Sequence, residues 1–408
     1  MIIREFYIEN YKSFKKLVFD PKDACREATM IFGYNNSGKS NLLKFLHLIF
    51  MKKYGGATYK IEEDGTDKIV SRFKEGVENF WTGQIVDSPY LFTDHNTSTD
   101  IKFKVKFEEN IKAFQDIGSY QELLNEKDNK FEITGRIVYQ DFDVSNIYLD
   151  EAMLNGKIIL KRDIQGNEKW FPDIKKFEDN KEGFEKILSV FNNSVLLIDK
   201  DRYFVNLPIE SNKEKNQELT PSNFKKWLFD LSLDPQKYSQ FEELIGFLNE
   251  FEISTNDEKG KPIPFLVLNN KYFPIDTSEI GFAKFGDKIN FMLIHNKTRL
   301  PIESFGSGIQ QLLYILSKIF FTNAKVLLIE EIELNHSPRY QESLLKFLNK
   351  LIDSGKINQL FFTSHSFYFR RCTDIIKRFF DVRLNADGYS EMVNVRSAVS
   401  KDDYLDSI

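Results

Sequence analysis

The stretch Gly33-Tyr34-Asn35-Asn36-Ser37-Gly38-Lys39-Ser40 constrains this chain more than any other, because it meets every fixed position of G-x-x-x-x-G-K-[ST]. Its surroundings fit too. The apolar run Thr29 to Phe32 reads as a buried strand, and Asn41-Leu42-Leu43-Lys44-Phe45-Leu46 opens a helix, so the glycines fall at a strand-to-helix turn. Gly33 and Gly38 let backbone N–H groups close on phosphate oxygens, and the helix N-terminus adds its partial positive charge. Lys39 is placed to reach β- and γ-phosphates, and the Ser40 hydroxyl to bind Mg²⁺. Asn35, Asn36, Ser37 and Asn41 complete the expected set around a bound ATP.

Composition sets the frame for that loop. With 408 residues, 41% hydrophobic and 14% aromatic, the chain has material for two or three domains' worth of globular core. A formal net charge of -5 gives no overall basic field, so any contact with DNA must come from a local patch. The two cysteines, Cys25 and Cys372, make a disulfide framework unexpected and suit a reducing cytosol. No N-terminal apolar leader and no run of ~18 uncharged apolar residues appears, which predicts a cytoplasmic protein with no membrane partner.

Three regions follow from the patterning. Residues 1–150 carry the loop and then strand-like runs such as Ile101 to Phe107 and "FEITGRIVYQ", whose alternation predicts a half-buried antiparallel sheet. Residues 151–290 hold a buried strand in "SVLLIDKDRYF" and helices across Phe224 to Phe251, interrupted at Asp234-Pro235. Residues 291–408 contain three further motifs. In "ESFGSGIQQLLYILSKIFF" a Ser/Gly turn, Ser304 to Gly308, feeds a helix whose apolar positions Ile309, Leu312, Leu313, Leu316, Ile319 and Phe320 share one face. In "KVLLIEEIE" a strand, Val326 to Ile329, ends in Glu330 and Glu331. In "QLFFTSHS" a second apolar run ends in Thr363-Ser364-His365, with a helix predicted over Ser343 to Leu351 between the two. All the polar residues thus fall at carboxyl ends of strands, where open α/β sheets bind ligands.

The order of these motifs resembles ATP-binding-cassette ATPases of the RecF, SMC and OLD type. The resemblance implies an α/β fold, an ABC-ATPase head with a mixed sheet and P-loop core, an antiparallel β lobe and a helical insertion. It assigns Glu330 to the Mg²⁺-associated acid, Glu331 to the base that positions water, and His365 to the switch histidine that senses γ-phosphate. "SFGSG" matches the signature turn, with Ser304 or Ser307 supplying the hydroxyl beside Gly306 and Gly308; Gln84 is the best-spaced candidate for a metal-sensing glutamine. Two departures stand out: Ile332 replaces the proline of the OLD-type Glu-Glu-Pro-Glu, and Leu334-Asn335-His336-Ser337-Pro338 lacks the usual Leu-His-Pro order.

In such proteins two subunits pack head to tail and each signature completes the partner's site, so a homodimer or higher oligomer is implied. No sustained heptad pattern separates the two halves, against an SMC-type arm. Too short a stretch follows His365 for the nuclease domain of the OLD type. The chain therefore looks like the ATPase subunit of a two-gene antiphage system such as PARIS or Septu, regulating a separate effector nuclease. The alternative is a RecF-like repair ATPase that clamps DNA, with Lys102, Lys104, Lys106, Lys297 and Arg299 as its local support.

Overall fold

A computed structural model describes residues 1–20, 26–49, 84–86, 88–114, 117–140, 144–162, 168–171, 177–192, 194–200, 202, 219–221, 223–256, 262–264, 275–285, 288–295, 298–322, 324–366 and 368–395. In chain order its first elements are β1 (Ile2–Tyr11), β2 (Phe14–Phe19), β3 (Glu27–Phe32), α1 (Lys39–Ile49), β4 (Gln84–Val86), β5 (Ile101–Asn110), β6 (Asp128–Gln140), β7 (Val144–Leu154), β8 (Lys157–Arg162) and β9 (Glu168–Trp170). Then come α2 (Phe177–Asn192), β10 (Val195–Ile198), α3 (Phe224–Leu233), α4 (Tyr238–Asn249), β11 (Glu252–Asn256), β12 (Pro262–Pro264), β13 (Ile275–Phe285), β14 (Lys288–His295) and β15 (Thr298–Pro301). The last are α5 (Ser307–Phe321), β16 (Val326–Ile329), α6 (Pro338–Asp353), β17 (Gln359–Ser364), β18 (Ile376–Leu384) and β19 (Ser390–Asn394).

Two sheets organise these elements into a mixed α/β fold. The core sheet has the order β10-β16-β17-β3-β18-β19, parallel throughout except for β19. Four of its strands, β10, β16, β17 and β3, are short and largely buried runs because both faces are covered, whereas β18 and β19 at one edge carry charged and exposed residues. Alternate side chains divide between two cores: Ile31, Leu328, Phe361 and Phe380 point to one, and Met30, Phe32, Leu327, Ile329 and Phe362 to the other. The first core also takes α1 and the antiparallel sheet; the second takes α3 to α6.

The antiparallel sheet runs β2-β1-β5-β6-β7-β8-β9, with β4 added to β7. β5 alternates buried and accessible residues, as its sequence predicts. α1 lies between the two sheets, where Phe45 meets Tyr11 edge-on at 4.9 Å and Phe103 at 6.3 Å. Gln359 pins the sheets together at one end: its Oε1 accepts from Ile3 N at 2.7 Å and its Nε2 donates to Ile3 O at 3.1 Å.

Several expectations shift in detail. The boundary near residue 150 falls inside β7, which pairs with both β6 and β8, so the antiparallel sheet continues to Trp170. The one near 290 falls inside β14, paired with β13 and β15. The predicted strand in "SVLLIDKDRYF" stops at Ile198. The helix predicted over Ser343 to Leu351 begins earlier, at Pro338, whose fixed φ and missing N–H suit a first helical turn. α5 is more deeply buried than an amphipathic stripe requires, since Gln311, Ser317 and Lys318 are enclosed with its apolar face. Cys25 and Lys297 lie outside the described residues.

Candidate functional site

The loop after β3 needs its glycines for two different reasons. Gly33 has φ +148, and a Cβ there would fall inside the carbonyl oxygen of Val382 on the neighbouring strand. Gly38 has φ +100, and its Cβ would meet Ser390 Oγ at 2.5 Å and Ser13 Oγ at 2.6 Å. Asn36 between them takes φ +64, a left-handed conformation that Asn tolerates better than most residues. Ser390 Oγ donates to Ser37 O at 2.6 Å, Ser390 N to Ser13 O at 2.8 Å, and Asn41 Nδ2 to Ser13 Oγ at 3.0 Å. The phosphate loop is thus held between the β1–β2 turn and β19.

Lys39 begins α1 and folds back on its own loop, donating to Gly33 O at 2.9 Å and Tyr34 O at 2.7 Å. Burial pulls its ammonium below the ordinary lysine value, and Glu331, Glu333 and Asp381 oppose that shift. A cavity of about 1150 Å³ opens above the loop. Gly33, Asn35, Asn36, Gly38, Lys39 and Ser40 form its floor, and Asn41 and Lys44 continue it along α1. Glu330, Glu331, Thr363 and His365 form the far wall. Ser37 is buried behind the loop, and its Oγ has no hydrogen-bond partner among the described residues.

The two acids differ in environment. Glu330 is fully buried, and neither carboxylate oxygen has a hydrogen-bond partner among the described residues; Lys44 Nζ stands 3.9 Å from its Oε1. Burial raises its pKa, with Lys44 acting in the opposite direction. Such an orphaned buried carboxylate fits a divalent cation as its missing partner. The described residues contain no group of three His, Cys, Asp or Glu that could hold a metal by themselves. Ser40 and Glu330 line the same cavity, and would hold a Mg²⁺ together with phosphate oxygens and water, the mixed set that this small hard ion prefers. Glu331 is only half-buried and sits at φ +44, its N–H donating to Thr363 Oγ1 at 2.8 Å. His365 is exposed at the cavity, and its backbone N–H donates to Glu333 Oε1 at 2.5 Å.

The signature turn lies elsewhere. Ser304, Gly306 and Ser307 are exposed, Gly308 is half-buried, and none of the four lines the cavity among the described residues. Gly308 allows close packing, because a Cβ would meet Asn335 O at 2.5 Å, whereas Gly306 faces open space. Gln84 begins β4, where its backbone pairs with Asn146; its side chain lies outside the described residues.

Several residues at the site carry no obvious sequence signal. Lys200 and Arg370 line the cavity, the Arg370 guanidinium lying 3.9 Å from the centroid of the Phe32 ring. Arg202 is fully buried beneath the paired acids and donates to the carbonyls of both. A charged residue just after the apolar run Val195 to Ile198 was the one available hint.

A phosphate loop on one parallel strand, paired acids two strands away and a polar strand end between them define a P-loop nucleoside triphosphatase. The particular family is that of the AAA ATPase domain, which matches residues 1–369, and the chain belongs to it. An ATP/GTP phosphatase of Helicobacter pylori is 23% identical over 386 residues, covering 92% of this chain and 89% of that protein. Among solved structures, an SMC head bound to the C-winged helix domain of ScpA aligns over 96% of this chain and 98% of its own, at 15% identity and a TM-score of 0.45. The SMC head domain from Thermotoga maritima aligns over 97% and 100%, at 11% identity and a TM-score of 0.42. No helix among the described residues is long and apolar enough to cross a membrane.

Proposed function

We propose that this chain binds ATP with Mg²⁺, pairs head to tail with a second copy around the nucleotide, and hydrolyses it slowly to control a separate effector. In this reading Lys39 and the loop amides hold the β- and γ-phosphates, and Glu331 takes a proton from the attacking water. His365 senses the γ-phosphate. Ser40 and Glu330 hold Mg²⁺, with Gln84 as a further candidate; the ion, when bound, offsets phosphate charge. The name of the Helicobacter pylori relative supports nucleotide hydrolysis.

One observation carries the pairing. The turn Gly306-Ser307 is exposed, lies outside the cavity built by its own loop, and leaves open space at Gly306, where packing within the subunit does not require glycine. Small residues and free N–H groups at a helix N-terminus suit a phosphate delivered from another subunit. Light scattering of Glu331→Gln with Mg²⁺ and ATP tests this. A dimer that forms with ATP and disperses with ADP supports the reading; a monomer under both conditions overturns it.

The regulatory part, a cytoplasmic effector nuclease in antiphage defence, rests on the resemblance of motif order. Co-purification of a nuclease with the tagged chain supports it. The RecF-like reading, a DNA clamp, draws less support: Lys104 pairs with Glu132 at 2.7 Å and Lys106 with Glu5 at 2.7 Å, so that strand face is largely neutralised. ATPase stimulation by DNA would favour it.

A further inference from the structure

Arg202 has 0% exposure, a rare position for a guanidinium. Its Nε donates to Asp199 O at 2.5 Å, and its Nη2 donates to the carbonyl oxygens of Glu330 and Glu331, the latter at 3.3 Å. These two carbonyls belong to the turn that ends β16, where Glu331 adopts φ +44. A left-handed conformation at a residue with a side chain persists only when its surroundings over-determine it. Here the surroundings act from two sides. Thr363 receives the Glu331 N–H on its Oγ1 and the Ile332 N–H on its carbonyl at 3.2 Å, while Arg202 grips the opposite edge. The rest of the turn is closed by Leu334 N to Glu331 O at 2.9 Å and His336 N to Glu333 O at 2.9 Å. The planar guanidinium reaches two strand ends at once, Nε holding Asp199 O after β10 and Nη2 the carbonyls of Glu330 and Glu331 after β16; the single nitrogen of a lysine cannot hold both.

We propose that Arg202 is a positioning residue for hydrolysis, fixing the left-handed turn at Glu331 so that its carboxylate faces the nucleotide cavity. The proposal rests on the reading of Glu331 as the group that activates water. Arg202 itself does not line the cavity and touches backbone carbonyls, so its loss acts on the turn and not on nucleotide affinity.

Arg202→Lys tests this, because it keeps the charge and removes the fork. Misplacement of a reacting group by about 1 Å costs ~10²-fold, so kcat should fall by about that factor with KM for ATP unchanged. Amide exchange at Ile332, Leu334 and His336 should accelerate in the same protein. Leu348→Ala in α6, a buried apolar site away from the cavity, serves as the control for general destabilisation. Arg202→Gln, which keeps one amide donor and drops the charge, should accelerate exchange at the same amides and keeps the test open if Arg202→Lys does not fold; Thr363→Val removes the hydroxyl on the opposite side and should accelerate exchange at the Glu331 amide. If Arg202→Lys retains wild-type kcat, or loses it only in step with the Leu348→Ala control while the turn amides stay protected, the positioning role is wrong. A wild-type protein that hydrolyses no ATP would sink the functional reading instead, and the exchange data would still decide whether Arg202 holds the turn.

Discussion

The hydroxyl of Ser390 donates to the carbonyl of Ser37 across 2.6 Å, joining a C-terminal strand to the phosphate loop. The loop is therefore shaped by contacts on both flanks as well as by its own sequence. Ser13 and Ser390 leave Gly38 no room for a side chain, and β18 leaves Gly33 none.

The two glycines should consequently fail differently. At Gly38 the obstacles are hydroxyls that can rotate, so Gly38→Ala should still fold, bearing mainly the strain of φ +100, and should lose nucleotide affinity. At Gly33 the obstacle is the Val382 carbonyl, which moves only with its strand, so Gly33→Ala should lower the melting temperature further than Gly38→Ala does. Backbone strain of about 1–3 kcal/mol is common to both variants, since both glycines have positive φ, and Gly33→Ala adds the backbone clash to it. Thermal melts and nucleotide titrations on both variants check this; equal melting temperatures would contradict the distinction.

Glu330 is the acid whose replacement should stabilise the nucleotide-free protein. Its carboxylate is fully enclosed without a hydrogen bond, and burial raises its pKa, so the charged form is held at a cost. Glu330→Gln should raise the melting temperature without Mg²⁺ and abolish the further rise that Mg²⁺-ATP gives the wild type. Mg²⁺-dependent stabilisation that survives in Glu330→Gln would place the ion elsewhere.

His336 makes stability depend on pH. Burial, with Arg202 adding to it, lowers its pKa from 6.5 to about 4, while its ring Nδ1 lies 3.0 Å from Ile332 O. Because the folded value is the lower one, the unfolded chain binds the extra proton between those values. Stability from this group is complete above pH 6.5 and is lost as pH falls toward 4. The expected loss by pH 5 is about 2 kcal/mol. Urea midpoints at pH 7 and pH 5, for wild type and His336→Gln, measure it. A pH dependence unchanged by the substitution would remove His336 from the account.

Contiguous motifs were legible in the sequence because each combines a local period with a chemistry that needs adjacent residues. The loop, the strand ending in Glu330-Glu331 and the strand ending in Thr363-Ser364-His365 all fall where their patterns place them, and β17 between β16 and β3 brings them to one cavity. Contacts between distant residues were not legible. Ser37 and Ser390 are 353 residues apart, and Arg202 and Glu330 are 128 apart; nothing in a local pattern says which serine or arginine will arrive. The boundary at residue 150 misses for a related reason, since alternation identifies β7 as a strand but not which neighbours it pairs with. For α5 the apolar face was read correctly, yet the enclosure of Gln311, Ser317 and Lys318 depends on elements packed around the helix that its own period does not encode.

The proposed composite site gives the sharpest test, because Ser307 and Lys39 would serve different nucleotides in a head-to-tail pair although they belong to the same chain. Ser307 begins α5, exposed and outside its own cavity, while Lys39 sits on the cavity floor. Ser307→Arg should leave the monomer folded and able to bind ATP, since its new side chain projects into solvent. It should block pairing and hydrolysis by occupying space needed for the partner's γ-phosphate. Lys39→Ala should lose affinity by ~10- to 100-fold, the value of a charge-assisted hydrogen bond of about 1.5–3 kcal/mol, and should also be inactive. Mixed together, the two inactive proteins form a heterodimer in which one site carries both lesions and the other carries neither. Part of the ATPase activity should return, rising with the heterodimer fraction measured by native mass spectrometry. A mixture that stays inactive although heterodimers form would mean that the turn acts within its own subunit or that the two sites cannot fire separately. The second case is recognised by pairing wild type with Lys39→Ala: obligate coupling silences that heterodimer too, whereas a turn acting in cis leaves its wild-type half active.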